Sequence, residues 1–456
     1  MTLTETLAAH VAATGRDRIP AAVADATRRF VLDTLAVAWA GADAPGGKAI
    51  HELVASDGGV ADAAVWAWGG RLPAAAAAFV NGVSAAALDY DSVYEAGSVH
   101  ADVVVVPAAW AVAERTGASG AEFLAAVALG TDIACRLGKA ARKNTGWFYT
   151  SLAGVYGAAA ACAKLLRLGP DGIADALGLA LSHTGGTQQA LLEKTDAKRL
   201  QSAFAARAGV FSAQLAGAGA SAPRQALEGA HGYFRKYEDC DPDVLLAGLG
   251  ETYENTRSAI KKYPSCTANH PPVETAIALA RELDIRVEEV TEIEVTLSPF
   301  SHRLVGGPFE PAANPQVAAQ FSIQYSMASA LARRRLSIAD IRSEAVLDPA
   351  LGALAGKVKV VVDEANKGKF APAGLAVTTL RHGRIRRDAL HVPGTPDHPL
   401  GRDEHRAKLL DCVSAGPRPF SGDEAARLLE RIENIDRVGD MRRFFEGVFD
   451  GGESPT

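Results

Sequence analysis

Cysteine is scarce in this 456-residue chain. The five thiols, Cys135, Cys162, Cys240, Cys266 and Cys412, are an odd, scattered set with no CxxC pair. That argues against a disulfide framework and for a reducing, cytoplasmic setting. No Cys/His cluster has metal-ligand spacing, and Cys266 and His270 stand four apart without partners, so no metal is expected. An excess of basic charge is also lacking. The 47 Lys and Arg face 53 Asp and Glu, for a net charge of -6, so neither nucleic acid nor an anionic membrane is an expected partner. The N-terminus has no basic start followed by an apolar run, as a secretory signal would. The most apolar stretches, residues 72–88 and 152–166, are interrupted by polar residues such as Asn81 and Lys164, so no membrane span is expected. GxxxxGK[ST] and GxSxG are absent. Residues 217–222 imitate a dinucleotide fingerprint but follow a helical pattern rather than a strand, which is the wrong context for a cofactor.

What is present is Ala, Leu and Val. Hydrophobic residues reach 48 % although aromatics are only 6 %, a composition suited to closely packed helices. The pattern predicts helices over 2–13, 20–40, 73–88, 107–116, 123–139, 152–166, 172–182 and 202–216. Ser119 and Glu122 form a capping box ahead of the fifth. After a further helix over 271–283 the texture changes. Residues 287–297, 357–362 and 375–380 alternate as strands do, His382 and Gly383 suit a hairpin turn, and 318–333 reads as a helix. Helices resume over 403–413 and 421–445, and the tail, 451–456, is expected to fray. The expected fold is mainly α. It has a large helical domain over 1–269, completed by 396–456, and a smaller α+β domain over 270–395.

Three polar clusters stand among these apolar segments. Asp89 and Asp91 close a helix, with His100 nine residues on. Capping explains such aspartates as readily as proton transfer does. Lys194, Lys198, Arg199 and Gln201 precede a small-residue helix, and Arg257, Lys261, Lys262, Cys266 and His270 fall at the expected domain boundary. Charge runs are usually solvated surface. Two basic clusters in an acidic chain, one of them at a domain junction, suggest an anionic ligand. His183, which closes a helix before two glycines, reads as structural.

Seven blocks in order, VLDTLAVAWAG, AAFVNGVSAAALDYDSVY, VHADVVVVPAAWAVAERTGASGAEFLAAVALG, AGVYGAAAACAKLLRLG, KRLQSAFAARAGVFSAQLAGAG, KKYPSCTANHPPVETAI and AQFSIQYSMASALARRRL, resemble the MmgE/PrpD family over nearly the whole chain. The resemblance implies a homodimer and an interdomain site using neither metal nor organic cofactor. Residue by residue, the family's acidic motif falls on Asp89 and Asp91, its nearby histidine on His100, and its two lysines on Lys198 and Lys261. The chain departs from the family at Ser92 and Val93, which stand for an aspartate and a threonine. Phe148 and Tyr149 replace the His-Pro of a GWHPTS-like block. Gln201 stands for a histidine, and so does Cys266 relative to some members, notably the decarboxylases.

The chemistry implied is a carbanion made or quenched next to a carboxylate of a small di- or tricarboxylate. Lys198 and Lys261 would clamp carboxylates, with Arg199, Gln201, Cys266, His270 and Asp91 assisting binding. His100, with Asp89, would transfer the proton, and Tyr149 would protonate a leaving hydroxyl. A 2-methylcitrate dehydratase-like hydro-lyase is the first expectation. An iminodisuccinate-like epimerase follows, then a cis-aconitate-type decarboxylase, with a catalytically silent carboxylate-binding homologue as the non-enzyme alternative.

Overall fold

The computed structural model describes residues 1–143, 145–368 and 372–450, so the tail 451–456 lies outside the described residues. Its N-terminal half is helical. The longer helices are α1 (Leu3–Ala13), α2 (Ala21–Gly41), α3 (Gly47–Ser56), α4 (Ala74–Ala86), α5 (Asp102–Thr116), α6 (Gly120–Ala140), α7 (Tyr149–Leu165), α8 (Pro170–Ala180) and α9 (Ala197–Gly217). A two-residue pair, β1 (Ala63–Ala64) with β2 (Arg71–Leu72), precedes α4. Helix α7 is central and packs on α5, α6, α8 and α9, while α9 also lies along α4.

Small residues make this packing possible. A Cβ at Gly130 of α6 would sit 2.5 Å from the Gly157 carbonyl of α7, and one at Gly157 would sit 2.4 Å from the Gly130 carbonyl. The two backbones touch reciprocally, at a distance no larger residue tolerates. The Ser119–Glu122 capping box forms and starts α6. Helix α5 begins five residues before Pro107, which was expected to open it. The helix runs through the proline and gives up the amide that would have bonded the Val103 carbonyl.

The C-terminal half begins with α10 (His270–Glu282). Its sheet has the order β4-β3-β5-β6, with β3 (Val290–Leu297), β4 (Val358–Val362), β5 (Ala373–Thr379) and β6 (Gly383–Ala389). β3 pairs parallel to β4, Ile293 opposite Val358, and antiparallel to β5, Val295 opposite Leu375. β5 and β6 form a hairpin with Val377 opposite Ile385. β6 carries Arg384, Arg386 and Arg387 on an exposed edge, so it shows little apolar alternation. Helix α10 packs on β5 and β6. The helix expected over 318–333 is two: α11 (Pro315–Gln320) ends before Phe321, and α12 (Ile323–Arg333) restarts because the Ser322 hydroxyl accepts the Tyr325 N–H. The helix expected over 421–445 ends at Glu433 and gives way to 3-10 turns. The chain then returns to the helical part, where α13 (Arg402–Ala415) and α14 (Gly422–Glu433) pack on α2. No helix among the described residues is long and apolar enough to cross a membrane.

Candidate active site

The turn after α4 fixes the first acidic side chain. Asp89 has φ +49, in the left-handed region. Asp tolerates that region better than most residues, and such strain collects at functional sites. From there its carboxylate meets two lysines. Lys198, in the first turn of α9, ion-pairs with Oδ1. Lys261 donates to Oδ2 at 2.9 Å and to the Asp89 carbonyl at 2.8 Å. Lys261 reaches this place because its segment pairs with the strand-like stretch after Asp89. The Val93 and Ala259 backbones exchange hydrogen bonds of 3.0 and 2.7 Å, and Tyr90 Oη donates to the Lys262 carbonyl at 2.9 Å. Ile260 N–H donates to Gly394 O at 2.9 Å, which ties in the loop before α13.

All three groups are buried. Burial alone would raise the Asp89 carboxyl. The charge of Lys198, then those of Lys261 and His100, outweigh it and hold the group far below the ordinary carboxylate range. Burial would likewise lower Lys198, but Asp89 and then Asp91 raise it above an ordinary lysine. Two lysines on one carboxylate give the trio a formal charge of one positive unit.

His100 stands beside it. Its backbone N–H donates to Thr150 Oγ1 at 3.1 Å, and its Nδ1 lies 2.8 Å from Asp91 Oδ2. Burial raises Asp91, and the charge and hydrogen bond of His100, followed by the lysines, more than cancel the effect. Asp91 does not face the cavity and holds the imidazole from behind.

These residues border a cavity of about 100 Å³. Asp89, His100, Lys198, Lys261, Tyr149 and Cys266 line it. Cys266 is placed by its N–H, which donates to Gln320 O at 2.9 Å at the end of α11. Burial, then the Asp89 charge, pushes its thiol up to about 11, so it is a neutral donor at physiological pH. The Tyr149 ring faces the cavity, but its hydroxyl is turned to the buried Glu238 carboxylate and the Lys143 carbonyl. Burial, then Glu238, raises the Tyr149 phenol.

Three other candidates do not reach the cavity. Arg199 follows Lys198 by about 100° around α9. It bonds the Pro45 carbonyl and lies 3.1 Å from Asp196. Gln201 donates to Thr187 O at 3.2 Å. His270 is fully buried with Nε2 3.2 Å from Ser265 O. Burial, then Lys261, pushes it down to about 3, so it is a neutral support of the turn that carries Cys266.

Sequence reasoning missed the apolar Leu191, Phe300, Leu304 and Phe321, which join the Val93 and Phe148 already noted, and the polar Ser98, Gln188 and Thr267 beside them. Phe321 lies in the break between α11 and α12, and Lys198 Nζ is 5.3 Å from its ring centroid. Among the described residues no group of three or more His, Cys, Asp or Glu is arranged to hold a metal ion.

The MmgE/PrpD N-terminal domain matches residues 5–243 and the MmgE/PrpD C-terminal domain residues 263–436. A cis-aconitate decarboxylase of Aspergillus terreus (strain NIH 2624 / FGSC A1156) is 29 % identical over 415 residues, covering 85 % of this chain and 83 % of that protein. The cis-aconitate decarboxylase of Mus musculus is 25 % identical over 450 residues, with 92 % and 88 % covered. That of Homo sapiens is 25 % identical over 393 residues, with 81 % and 78 % covered.

Proposed function

Because the chain belongs to the MmgE/PrpD family, we propose that it is a lyase acting on a small polycarboxylate and that its reaction is a decarboxylation carried by its own side chains. One observation carries this reading. A single carboxylate-backed imidazole, His100, stands beside two ammonium groups, Lys198 and Lys261, at one cavity. The remaining donors of the two lysines hold the carboxylate that stays. The carbon–carbon bond to the other carboxylate breaks, its electron pair remains on carbon, and CO₂ leaves. The lysines stabilise the charge that develops. His100 delivers one proton to that carbon and recovers one from water. The apolar wall favours the loss, since a carboxylate against it is poorly solvated while CO₂ is neutral.

Dehydration is the second reading. It requires a further acid at the leaving hydroxyl, and the Tyr149 phenol suited to that role is directed at Glu238 instead. The names of the relatives also favour decarboxylation. The five free cysteines support a reducing, cytoplasmic setting.

Proton NMR in D₂O with a panel of unsaturated di- and tricarboxylates tests the reading. CO₂ release with one deuteron at the carbon that lost it is expected. Loss of water without CO₂ would replace decarboxylation by dehydration. Absence of any turnover or solvent exchange across the panel would sink the enzymatic reading.

A further inference from the structure

Helix α4 ends at Ala86, and the carbonyls beyond it need partners that no further helical turn supplies. Three of them are met by side chains from distant parts of the chain. Gln320 Nε2 donates to Ala87 O at 3.1 Å, Lys261 Nζ to Asp89 O at 2.8 Å and Lys408 Nζ to Tyr90 O at 3.0 Å. Gln320 ends α11, and Lys261 lines the cavity. Lys408 comes from α13 and does not line the cavity.

Lys408 is buried, and its Nζ lies 2.6 Å from Asp33 Oδ1 of α2. Replacing such a pair by apolar side chains is often neutral or stabilising, so stability alone does not account for it. Its geometry points at one residue, Tyr90. Besides bonding the carbonyl, Nζ stands 4.1 Å from the Tyr90 ring centroid. The Tyr90 hydroxyl donates to Lys262 O. One turn before Lys408, Glu404 ion-pairs with Lys262 Nζ at 2.8 Å. Helix α13 thus grips both arms of the site, the 89–91 turn through Lys408 and the 259–262 segment through Glu404, and Tyr90 joins the two.

Tyr90 sits between the two aspartates that organise the cavity. Asp89 holds Lys198 and Lys261, and Asp91 holds His100. Asp89 has φ +49, a conformation that persists only where its surroundings enforce it. We infer that Lys408 is a positioning residue for the reaction: by fixing the Tyr90 carbonyl and ring it sets Asp89 and Asp91 together, and through them the two lysines and His100. Asp33 is the partner that lets a lysine be buried there. The inference rests on the reading of the cavity as the active site and extends it to a residue that touches no substrate.

Three variants, Lys408→Met, Asp33→Asn and the two combined, separate positioning from stability. Each single change strips a buried group of its ionic partner and should lower the urea midpoint. The combined variant has neither charge and should recover part of that loss. Turnover of the unsaturated di- or tricarboxylate that the unaltered protein converts should follow a different order. Lys408→Met and the combined variant should each lower kcat roughly ten- to a hundredfold, as a misplacement of about 1 Å does. KM should change less than about threefold, since the loss falls on the chemical step. Asp33→Asn keeps the donor to Tyr90 and should lose far less turnover. A His100 ring C–H resonance, assigned with His100→Gln, should move in the combined variant and much less in Asp33→Asn. If a single variant fails to fold, the combined variant carries the test. A combined variant with near wild-type kcat and an unmoved His100 resonance, or a kcat that follows the urea midpoint across all three, overturns the inference and leaves Lys408 a stabilising role only. If the unaltered protein converts none of the polycarboxylates offered, the active-site reading itself falls, and this inference with it.

Discussion

Asp91 Oδ2 lies 2.8 Å from His100 Nδ1, behind the imidazole as seen from the cavity. We propose that Asp91 orients the ring and that Nε2 is the nitrogen that meets the substrate.

Asp91→Asn should therefore lower kcat by roughly a hundredfold or more with KM little changed, since Asp91 touches no substrate. Steady-state kinetics on the two proteins check this. A loss confined to KM would show that Asp91 does not act through His100.

Asp89 holds two buried ammonium groups together, which gives its removal a distinctive signature. Asp89→Asn leaves Lys198 and Lys261 facing each other without compensation and should cost about 3 to 5 kcal/mol in urea unfolding. Adding Lys198→Met removes the surplus charge and should restore part of that loss, although the single Lys198→Met is itself unfavourable. Non-additivity of this sign is the test; simple addition of the two costs would mean the three groups are not coupled.

Much of this arrangement was legible in the sequence, but unevenly. Helix existence followed from periodicity and from caps such as Ser119 and Glu122, and the mainly α fold with a smaller α+β part matches both the pattern and the family resemblance. The charged residues of the cavity stood out because Asp89, His100, Lys198 and Lys261 interrupt apolar or small-residue segments. Their convergence did not, because it depends on the Val93–Ala259 backbone pairing across more than 160 residues of chain. Arg199 and Gln201 share a helical turn with Lys198, and only the structure shows that they are spent on Pro45 and Thr187. Most of the apolar wall was invisible: Phe300 and Leu304 lie in a stretch to which the pattern assigned no element, and Phe321 reads as part of the expected 318–333 helix until the Ser322 cap breaks the helix beside it.

We propose that the homodimer implied by the family resemblance forms over α9. Phe204 and Phe211, seven residues apart on that helix, are 55 % and 47 % exposed, well beyond what two large apolar side chains on one helix face require. Sedimentation equilibrium at micromolar concentration should give twice the 47.5 kDa chain mass. Phe204→Asp combined with Phe211→Asp should shift the protein to monomer with its far-UV spectrum retained. A monomer in the unaltered protein, or a dimer indifferent to both substitutions, would place the contact elsewhere or remove it.

Asp102 makes the final prediction, about stability rather than turnover. It is the first residue of α5, fully buried, and accepts the Ser92 hydroxyl at 2.6 Å. Burial pushes its carboxyl up to about 7; the Ser92 hydrogen bond opposes this and the charges of Asp33 and Asp91 add to it. In the unfolded chain the same group titrates near 3.9. Between about pH 4 and pH 7 the folded protein keeps this proton while the unfolded chain has released it. Stability from Asp102 is therefore greatest at low pH, falls by about 1.4 kcal/mol per pH unit across that window, and is level above it. Asp89 and Asp91, whose carboxyls are lowered, work in the other direction and only below about pH 4, where protonation removes their contribution. The two effects occupy different windows and can be separated. Asp102→Asn keeps the shape and an oxygen for Ser92 but has no proton to lose. Glu95 and Asp132, also raised, to about 7 and about 6, affect both proteins alike and cancel in the difference. Urea unfolding of the two proteins from pH 5 to pH 8 should give curves that diverge as pH rises toward 7, the variant gaining relative to the unaltered chain, and run parallel above it. Curves parallel throughout would mean that Asp102 is ionised in the folded protein across this range.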